Sequence, residues 1–132
     1  MIVAVGIDLV DVARVERMLR TKGQRALRRL CTEREREYVR ARHSSAASFA
    51  ARLAAKEAAY KALSGTDESR GIGWREIEVV SGTDRRPALI LHGLAQRRAR
   101  ELGVTTMHLS ITHTATTAAA VVTLERVHRD PD

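Results

Sequence analysis

Two carboxylates and a lysine are the residues of this sequence whose types could do chemistry together. Asp8 ends an apolar N-terminal segment, Glu57 lies in an alanine-rich stretch, and Lys61 follows Glu57 four positions later. Mg²⁺ in proteins is typically held by one or two carboxylates, several waters and the phosphates of a substrate. A lysine beside such a pair would neutralise the charge that develops on a phosphate leaving group. These residue types therefore fit magnesium-assisted phosphate chemistry.

The same three residues also have ordinary structural interpretations. An aspartate between a strand and a helix commonly caps the helix. A Glu–Lys pair at positions i and i+4 of a helix commonly forms an exposed ion pair worth about 0.3–0.5 kcal/mol. Asp8 fits the first interpretation and the pair Glu57–Lys61 fits the second. Spacing alone therefore does not decide between catalysis and structure.

The first half of the chain contains the segments that position these residues. Residues 2–8 are apolar and rich in β-branched side chains, which predicts a short buried strand. Apolar residues recur at helical spacing over residues 12–19 beside several arginines, which predicts an amphipathic helix. Residues 32–35 read Thr-Glu-Arg-Glu, a capping box that predicts the start of a second helix. Residues 49–63 are dense in Ala and Leu and predict a third helix that stops at Ser64-Gly65.

The second half of the chain is dominated by strand and turn signals. We predict a strand pair over residues 77–80 and 88–91, a short helix over residues 94–102 that is closed by a glycine, and a second strand pair over residues 108–111 and 118–124. Residues from 126 onward are expected to form a frayed tail, which leaves one domain over residues 1–125. The predicted fold class is α+β: a single domain with an antiparallel sheet and packed helices.

Composition limits the classes of protein that remain. A length of 132 residues suits one domain, and 30% charged residues argue against a membrane protein. Nothing in the N-terminal segment predicts a signal peptide, because no basic region precedes its apolar residues. Cys31 is the one cysteine of the chain, so no internal disulfide can form. We therefore expect a cytoplasmic protein with no membrane partner.

The net charge of +7 is concentrated in one part of the sequence. Residues 14–42 hold eleven Lys or Arg against four Glu, a difference equal to the whole net charge. Such a basic region favours an acidic partner, which is a nucleic acid, an anionic membrane or an acidic protein. A small basic nucleic-acid-binding module is therefore the alternative function. Aromatic residues make up only 3% of the chain, however, so the side chains on which bases usually stack are nearly absent.

Three motifs resemble a known family in order and in separation. They are Gly6-Ile7-Asp8-Leu9-Val10, then Ala54-Ala55-Lys56-Glu57-Ala58 followed by Lys61-Ala62-Leu63, and finally Ser110-Ile111-Thr112-His113-Thr114. Together they are similar to the signatures of the holo-acyl-carrier-protein synthases, the small trimeric type of 4′-phosphopantetheinyl transferase. The resemblance extends over about residues 2–125. It implies the fold of that family and transfer of 4′-phosphopantetheine from coenzyme A to a serine of an acidic apo acyl carrier protein, which releases adenosine 3′,5′-bisphosphate.

The resemblance also implies roles for individual residues. Asp8 and Glu57 would hold Mg²⁺, and Lys61 would act with Glu57 in catalysis. Coenzyme A would be bound by Arg52, Lys61, Ser64, Gly65, Arg86, Pro87, His113 and Thr114. The carrier protein would dock on Arg14, Arg17 and Met18. The carrier would belong to fatty-acid or to polyketide synthesis, and no residue is marked out as the general base.

The resemblance also implies an assembly, and the sequence departs from the family pattern at two positions. The resemblance implies a homotrimer with active sites between subunits, and the apolar residues 118–122 are expected to face a partner subunit. Arg85 stands where the family has a glycine before Arg86-Pro87, so the geometry of that turn is in question. Thr112 stands where serine is common, which is a mild change.

Overall fold

The computed structural model describes residues 1–41, 46–82 and 84–128. Within these residues, five strands and four helices follow one another along the chain. The elements are β1 (Ile2–Asp11), α1 (Val12–Leu30), α2 (Glu33–Ala41), α3 (Ala46–Leu63), β2 (Ile77–Ser81), β3 (Pro87–Leu91), α4 (Gly93–Glu101), β4 (Thr106–His113) and β5 (Thr117–Glu125). The predicted α+β class is confirmed, and the antiparallel strands form two sheets. These are a three-stranded sheet in the order β1-β5-β4 and the hairpin β2-β3.

Helix α3 is the centre of the fold and packs across the three-stranded sheet. Its residues are buried on nearly every side, because alanines on several faces let neighbouring backbones approach closely. The closest approach is at Gly6 of β1, where an added Cβ would overlap the carbonyl oxygen of Ala58. Only glycine fits this crossing. The crossing places the end of β1, with Asp8, beside the C-terminal half of α3, with Glu57 and Lys61.

Helix α1 follows β1 directly and is bent at Gly23. The backbone of Gly23 has φ 48° and ψ −123°, which are not helical values. A φ in this range strongly favours glycine, so Gly23 is where the helix can change direction. The first half of α1 remains over the end of β1, as the predicted amphipathic helix required, with Val12 and Val15 buried.

The two faces of the three-stranded sheet differ in what covers them. Ala118, Ala120 and Val122 face the core, which corrects the expectation that residues 118–122 present an apolar strand to a partner. Strand β5 lies between β1 and β4, so it has no free edge within the described residues. The apolar surface that does face outward belongs mainly to β1 and consists of Ile2, Val5, Ile7 and Leu9, with Val121 of β5 beside them.

The predicted capping box at residues 32–35 is confirmed. The Thr32 backbone N–H donates to Glu35 Oε1 at 2.9 Å, and the Glu35 N–H donates to Thr32 Oγ1 at 3.2 Å. Glu35 also forms a fully buried ion pair with Lys56 of α3, in which Nζ and Oε1 are 2.6 Å apart. Lys56 donates further to the carbonyls of Trp74 and Ile77, and Glu35 Oε2 accepts from the N–H of Val79. One ion pair therefore joins α2, α3 and β2.

The N-terminus lies beside the residues that follow β5. The Met1 ammonium donates to the carbonyl of Arg126, and the N–H of Val127 donates to Thr105 Oγ1. The expected tail is thus still attached to the sheet at residues 126 and 127, while residues 129–132 lie outside the described part. No helix among the described residues has both the length and the apolarity needed to cross a membrane.

Candidate functional site

Asp8 and Glu57 line the same cavity, which we call the carboxylate cavity. Its volume is about 240 Å³, and it is lined by Asp8, Leu9, Val10, Arg14, Val15, Met18, Leu53, Glu57 and Trp74. The carboxylates come from β1 and α3, while Arg14 and Met18 come from the first turns of α1. Thus two predicted metal ligands and two predicted docking residues are neighbours around one opening.

Lys61 contacts Asp8 rather than Glu57. Its Nζ lies 2.8 Å from Asp8 Oδ1 and 3.1 Å from the carbonyl oxygen of Ile7. The hydrogen bond to the Asp8 carboxylate is the main reason why the pKa of Lys61 is raised, so this amine stays charged. Within the described residues, no ion pair joins Glu57 to Lys61. The simple i, i+4 pair is therefore absent, and Lys61 instead links α3 to the end of β1.

Asp8 does not cap a helix. Strand β1 continues to Asp11, and Asp11 precedes α1 without a capping hydrogen bond from its side chain. The strand is longer than predicted because residues 9–11 pair with residues 117–119 of β5. This extension moves Asp8 away from the start of the helix, so its carboxylate is available to the cavity and to Lys61.

The electrostatics of the carboxylate cavity favour a cation. The pKa of Glu57 is raised, first by partial burial and second by the negative charge of Asp8, while Lys61 and Arg14 act in the opposite direction. Two carboxylates that repel each other in this way gain when a cation binds between them. In the described part of the chain, no group of three or more His, Cys, Asp or Glu side chains converges to hold a metal. The donors are thus two carboxylates, which suits an ion that completes its shell with water and phosphate.

A second cavity contains three of the predicted coenzyme A residues, and we call it the Arg52 cavity. Its volume is about 250 Å³, and it is lined by Tyr38, Ser48, Ala51, Arg52, Ser81, Arg85, Pro87, Ile111 and His113. The Arg52 guanidinium donates to the carbonyl of Val79 at 2.9 Å and lies 3.8 Å from the centre of the Tyr38 ring. Arg52 is therefore held in place by its own chain beside Pro87 and His113. None of these residues lines the carboxylate cavity.

The turn before Pro87 has Arg85 at the position where the resemblance implied a glycine. Arg85 has φ 67°, the left-handed conformation that glycine adopts without cost. Its side chain lines the Arg52 cavity. Arg86, which was predicted to bind coenzyme A, does not line this cavity; its side chain is exposed, and its Nε lies 3.7 Å from the Asp84 carboxylate. Within this chain, Arg85 is thus the arginine of the turn that lies at the cavity.

Four further predicted residues lie outside both cavities. Ser64 and Gly65 follow the end of α3, where the Ser64 hydroxyl donates to the carbonyl of Lys61 and its own carbonyl accepts from Arg98. Thr114 lies in the β4–β5 turn, and its hydroxyl oxygen accepts from the N–H groups of Thr116 and Thr117. Arg17 is exposed on α1. Within one chain these residues are not brought together with Arg52.

The sequence interpretation did not identify Lys56 and Trp74 as residues near the site. Trp74 lies outside the three sequence motifs, yet it lines the carboxylate cavity and a further cavity beside it. Lys56 precedes Glu57 and is fully buried, so its ion pair with Glu35 fixes the segment that carries Glu57. A signal for Lys56 was present: in a helix with alanines on several faces, a charged residue is surrounded by packed chain and needs a buried partner.

Comparisons with known proteins identify the class. A family model described as the 4′-phosphopantetheinyl transferase superfamily matches residues 4–122. A holo-[acyl-carrier-protein] synthase of Alkalilimnicola ehrlichii is 48% identical over 126 residues, which cover 95% of this chain and 98% of that protein. This chain therefore belongs to the 4′-phosphopantetheinyl transferase superfamily and, within it, to the holo-[acyl-carrier-protein] synthases.

Solved structures of this family have the same fold. The crystal structure of the holo-[acyl-carrier-protein] synthase from Neisseria meningitidis is similar with a TM-score of 0.83 and 25% identity, covering 96% of this chain and 100% of that one. The synthase from Bacillus anthracis, solved in complex with CoA (3′,5′-ADP), has a TM-score of 0.76 and 33% identity, covering 96% of this chain and 99% of that one. The predicted resemblance to this family is confirmed.

Proposed function

We propose that this chain transfers 4′-phosphopantetheine from coenzyme A to a serine hydroxyl of an apo acyl carrier protein and releases adenosine 3′,5′-bisphosphate. The observation that carries the proposal is the carboxylate cavity, where Asp8 and Glu57 meet Arg14 and Met18 of α1. Phosphate chemistry and a basic surface for an acidic carrier protein thus share one opening. The nucleic-acid alternative finds no support in the comparisons.

Asp8 and Glu57 would hold Mg²⁺, since two carboxylates at one cavity are a donor set that this ion uses. When bound, Mg²⁺ would neutralise charge on the pyrophosphate of coenzyme A. Lys61, already fixed beside Asp8 by a 2.8 Å hydrogen bond, would add a positive charge next to the leaving phosphate. Partly buried Glu57 and the Asp8–Lys61 pair would orient the phosphates for attack by the serine hydroxyl.

The first half of α1 would bind the carrier protein. Arg14 lines the carboxylate cavity, and Arg17 lies one turn later in solvent. Met18 lines both this cavity and a basic groove further along α1. The arginines would attract acidic groups of the carrier, and Met18 would add an apolar contact. The carrier serine would then enter at the end of the cavity formed by α1.

Two copies of the chain would be needed to build one complete site. The metal-binding residues line the carboxylate cavity, whereas Arg52, Pro87 and His113 line a separate one. The outward face of β1 has four apolar side chains that are more than half exposed, at Ile2, Val5, Ile7 and Leu9, and such a surface favours association. We therefore infer a homotrimer in which this face is covered and the Arg52 cavity of one subunit adjoins the carboxylate cavity of the next.

The compartment and the class of carrier protein are the remaining parts of the proposal. The lone buried Cys31 suits a reducing compartment, so we place the enzyme in the cytoplasm. Its acceptor would be a carrier protein of fatty-acid biosynthesis or of polyketide synthesis.

The direct test is the mass of an apo carrier protein after incubation with this protein, coenzyme A and Mg²⁺. The wild type should add one phosphopantetheine per carrier. Asp8→Asn and Glu57→Gln should each abolish the addition, whereas Asp11→Asn, on the same strand but exposed, should retain it. Transfer by Glu57→Gln at the wild-type rate would show that Glu57 is not a metal ligand, and absence of transfer by the wild type with several carriers would overturn the function.

Carrier docking has a separate test. Arg14→Glu should raise the KM for carrier protein strongly and leave the KM for coenzyme A nearly unchanged, since the phosphates are bound at Asp8, Glu57 and Lys61. The effect should shrink with salt, because charges at an exposed interface are screened over about 8 Å at 0.15 M ionic strength. Arg100→Glu, on the exposed side of α4, is the matched control. Equal changes in both KM values would contradict docking at Arg14.

The shared site can be tested by mixing two inactive variants. Glu57→Gln damages the carboxylate cavity and His113→Ala damages the Arg52 cavity. If sites lie between subunits, mixed trimers should regain activity, because some interfaces combine two intact halves. Light scattering should give a mass near three times 14.6 kDa, and Val5→Asp, on the outward face of β1, should reduce it. A monomer with full activity, or no recovery on mixing, would refute the shared site.

A further inference from the structure

The C-terminal end of α3 is held by a side chain of α4, Arg98. The Nε of Arg98 donates to the carbonyl oxygen of Leu63 at 2.8 Å, and its Nη2 donates to the carbonyl oxygen of Ser64 at 3.2 Å. The side chain is only 13% exposed, and a Cβ added at Gly65 would lie 3.3 Å from its Nη2. Carbonyls at the end of a helix have no partner within the helix, so they need donors from elsewhere. Arg98 supplies a donor to each of two consecutive carbonyls.

The segment held in this way includes residues to which the proposed function assigns phosphate chemistry. Lys61 lies in the last turn of α3, and its carbonyl oxygen accepts from the Ser64 hydroxyl at 2.6 Å. The Nζ of Lys61 lies 2.8 Å from Asp8, yet the side chain is 52% exposed, so packing alone does not hold it there. Ser64 and Gly65 were predicted to bind coenzyme A. The position of residues 61–65 therefore depends on how firmly the end of the helix is held.

Helix α4 is a firm support for Arg98. Its first turn is fixed by Glu76, whose Oε2 accepts from two backbone N–H groups at the start of the helix. Its inner face is packed, with Ala95 and Ala99 buried. The Nη1 of Arg98 lies 3.5 Å from the carboxylate of Glu101, which helps to orient the guanidinium plane. A planar guanidinium presents two donors along one edge, and a lysine ammonium does not reproduce this geometry.

We propose that Arg98 is a positioning residue for transfer, which holds residues 61–65 so that Lys61 stays beside Asp8. Arg98 lines neither the carboxylate cavity nor the Arg52 cavity, so it acts on the segment and not on a bound ligand. Without it, the last turn of α3 would open locally, and Lys61 would lose the fixed backbone from which it reaches Asp8. This inference rests on the proposed function and adds to it a residue outside the three sequence motifs.

The kinetic test compares Arg98→Gln and Arg98→Lys with the wild type. Arg98→Gln should lower kcat by up to about 100-fold, because a small misplacement of a group that orients the substrate can cost this much. The KM for carrier protein should stay unchanged, since the carrier is assigned to α1. Arg98→Lys should recover part of the kcat, because it retains the charge but not the two donors of the guanidinium edge. Arg97→Gln is the matched control, since Arg97 is the neighbouring residue of α4 and forms an exposed ion pair with Glu68, and its kcat should equal that of the wild type. A wild-type kcat in Arg98→Gln, or a rise in its KM for carrier protein as large as the fall in kcat, would overturn the proposal.

Amide hydrogen exchange provides a second measurement that needs no transfer. In Arg98→Gln the N–H groups of residues 61–65 should exchange faster than in the wild type, while those of residues 53–57, earlier in α3, should exchange at the wild-type rate. Arg98→Lys should give the same pattern with a smaller increase, which provides the comparison if Arg98→Gln does not fold. Unchanged exchange at residues 61–65, or an equal increase along the whole helix, would overturn the assignment. Absence of transfer by the wild type would instead refute the proposed function, and the exchange rates would still decide whether Arg98 holds this segment.

Discussion

Lys56→Met should destabilise the protein far more than a loss of one surface charge. The substitution keeps most of the apolar stem of the side chain but removes an amine that makes three buried hydrogen bonds, to Glu35, Trp74 and Ile77. The Glu35 carboxylate would then remain buried without its cation. Removing one partner of a buried ion pair typically costs about 3–5 kcal/mol, because the remaining charge is neither solvated nor neutralised.

The expected loss can be expressed as a melting temperature. An unfolding entropy of about 2.1 cal/mol/K per residue gives a shift of roughly 3–4 °C per kcal/mol for a chain of this length. Lys56→Met should therefore lower the Tm by about 10–18 °C, measured by circular dichroism at a fixed protein concentration. Lys61→Met is the matched control, since it makes the same substitution on the same helix at a side chain that is half exposed. Its effect on the Tm should be small, although it should abolish transfer.

A double variant separates charge from shape. Glu35→Gln retains an oxygen that can accept from a backbone N–H, so combining it with Lys56→Met removes both charges at once. The double variant should be more stable than Lys56→Met alone, because no unpaired buried charge remains. Equal decreases in Tm for Lys56→Met and Lys61→Met would contradict an unpaired buried charge at Glu35. A decrease in Tm of the double variant equal to the sum of the decreases in Glu35→Gln and Lys56→Met would contradict it as well.

Three further outcomes follow from the described contacts. The pKa of Cys31 is raised to about 11, chiefly by burial and then by the negative charge of Glu35. We therefore expect no reaction of this thiol with a thiol reagent at pH 8 until the protein is unfolded, and rapid labelling of the native protein would contradict this. The pKa of Glu57 is raised in the folded, metal-free protein, so the stability of the fold decreases as pH rises through that pKa. Glu57→Gln should remove this decrease in a series of Tm values measured from pH 4 to 8. A steeper decrease in the variant would contradict the raised pKa. Arg85→Gly should keep or raise the Tm, because φ at Arg85 is 67° and glycine adopts this left-handed conformation without strain. Arg86→Gly should lower the Tm. A larger decrease in Tm for Arg85→Gly than for Arg86→Gly would contradict the left-handed conformation at Arg85.

Local sequence patterns were sufficient for most of the secondary structure. The capping box at residues 32–35 and the alanine-rich third helix were predicted from interactions between near neighbours, which the sequence displays directly. The motifs that contain Asp8, Glu57 and His113 were also visible in the sequence, and the family that they indicated is confirmed. The family was therefore accessible before the fold.

Tertiary packing determined which of these residues meet. Lys61 bonds to Asp8, which lies 53 positions away, and not to Glu57 on the same helix. The reason is the crossing of β1 and α3 at Gly6, since the absent side chain lets the strand end reach the lysine. Helical spacing alone contains no information about that crossing.

Packing also determined which faces are buried. Residues 118–122 are all apolar, so the sequence is compatible with either face of this strand being covered. Only the position of α3 places Ala118, Ala120 and Val122 in the core and leaves β1 apolar on the outside. Likewise, the sequence shows a lysine before Glu57, but its burial depends on Glu35 arriving from another helix at a distance of 2.6 Å. The sequence by itself thus determined the residue types and the local elements, whereas long-range contacts, whose energies depend on all the elements together, decided their partners.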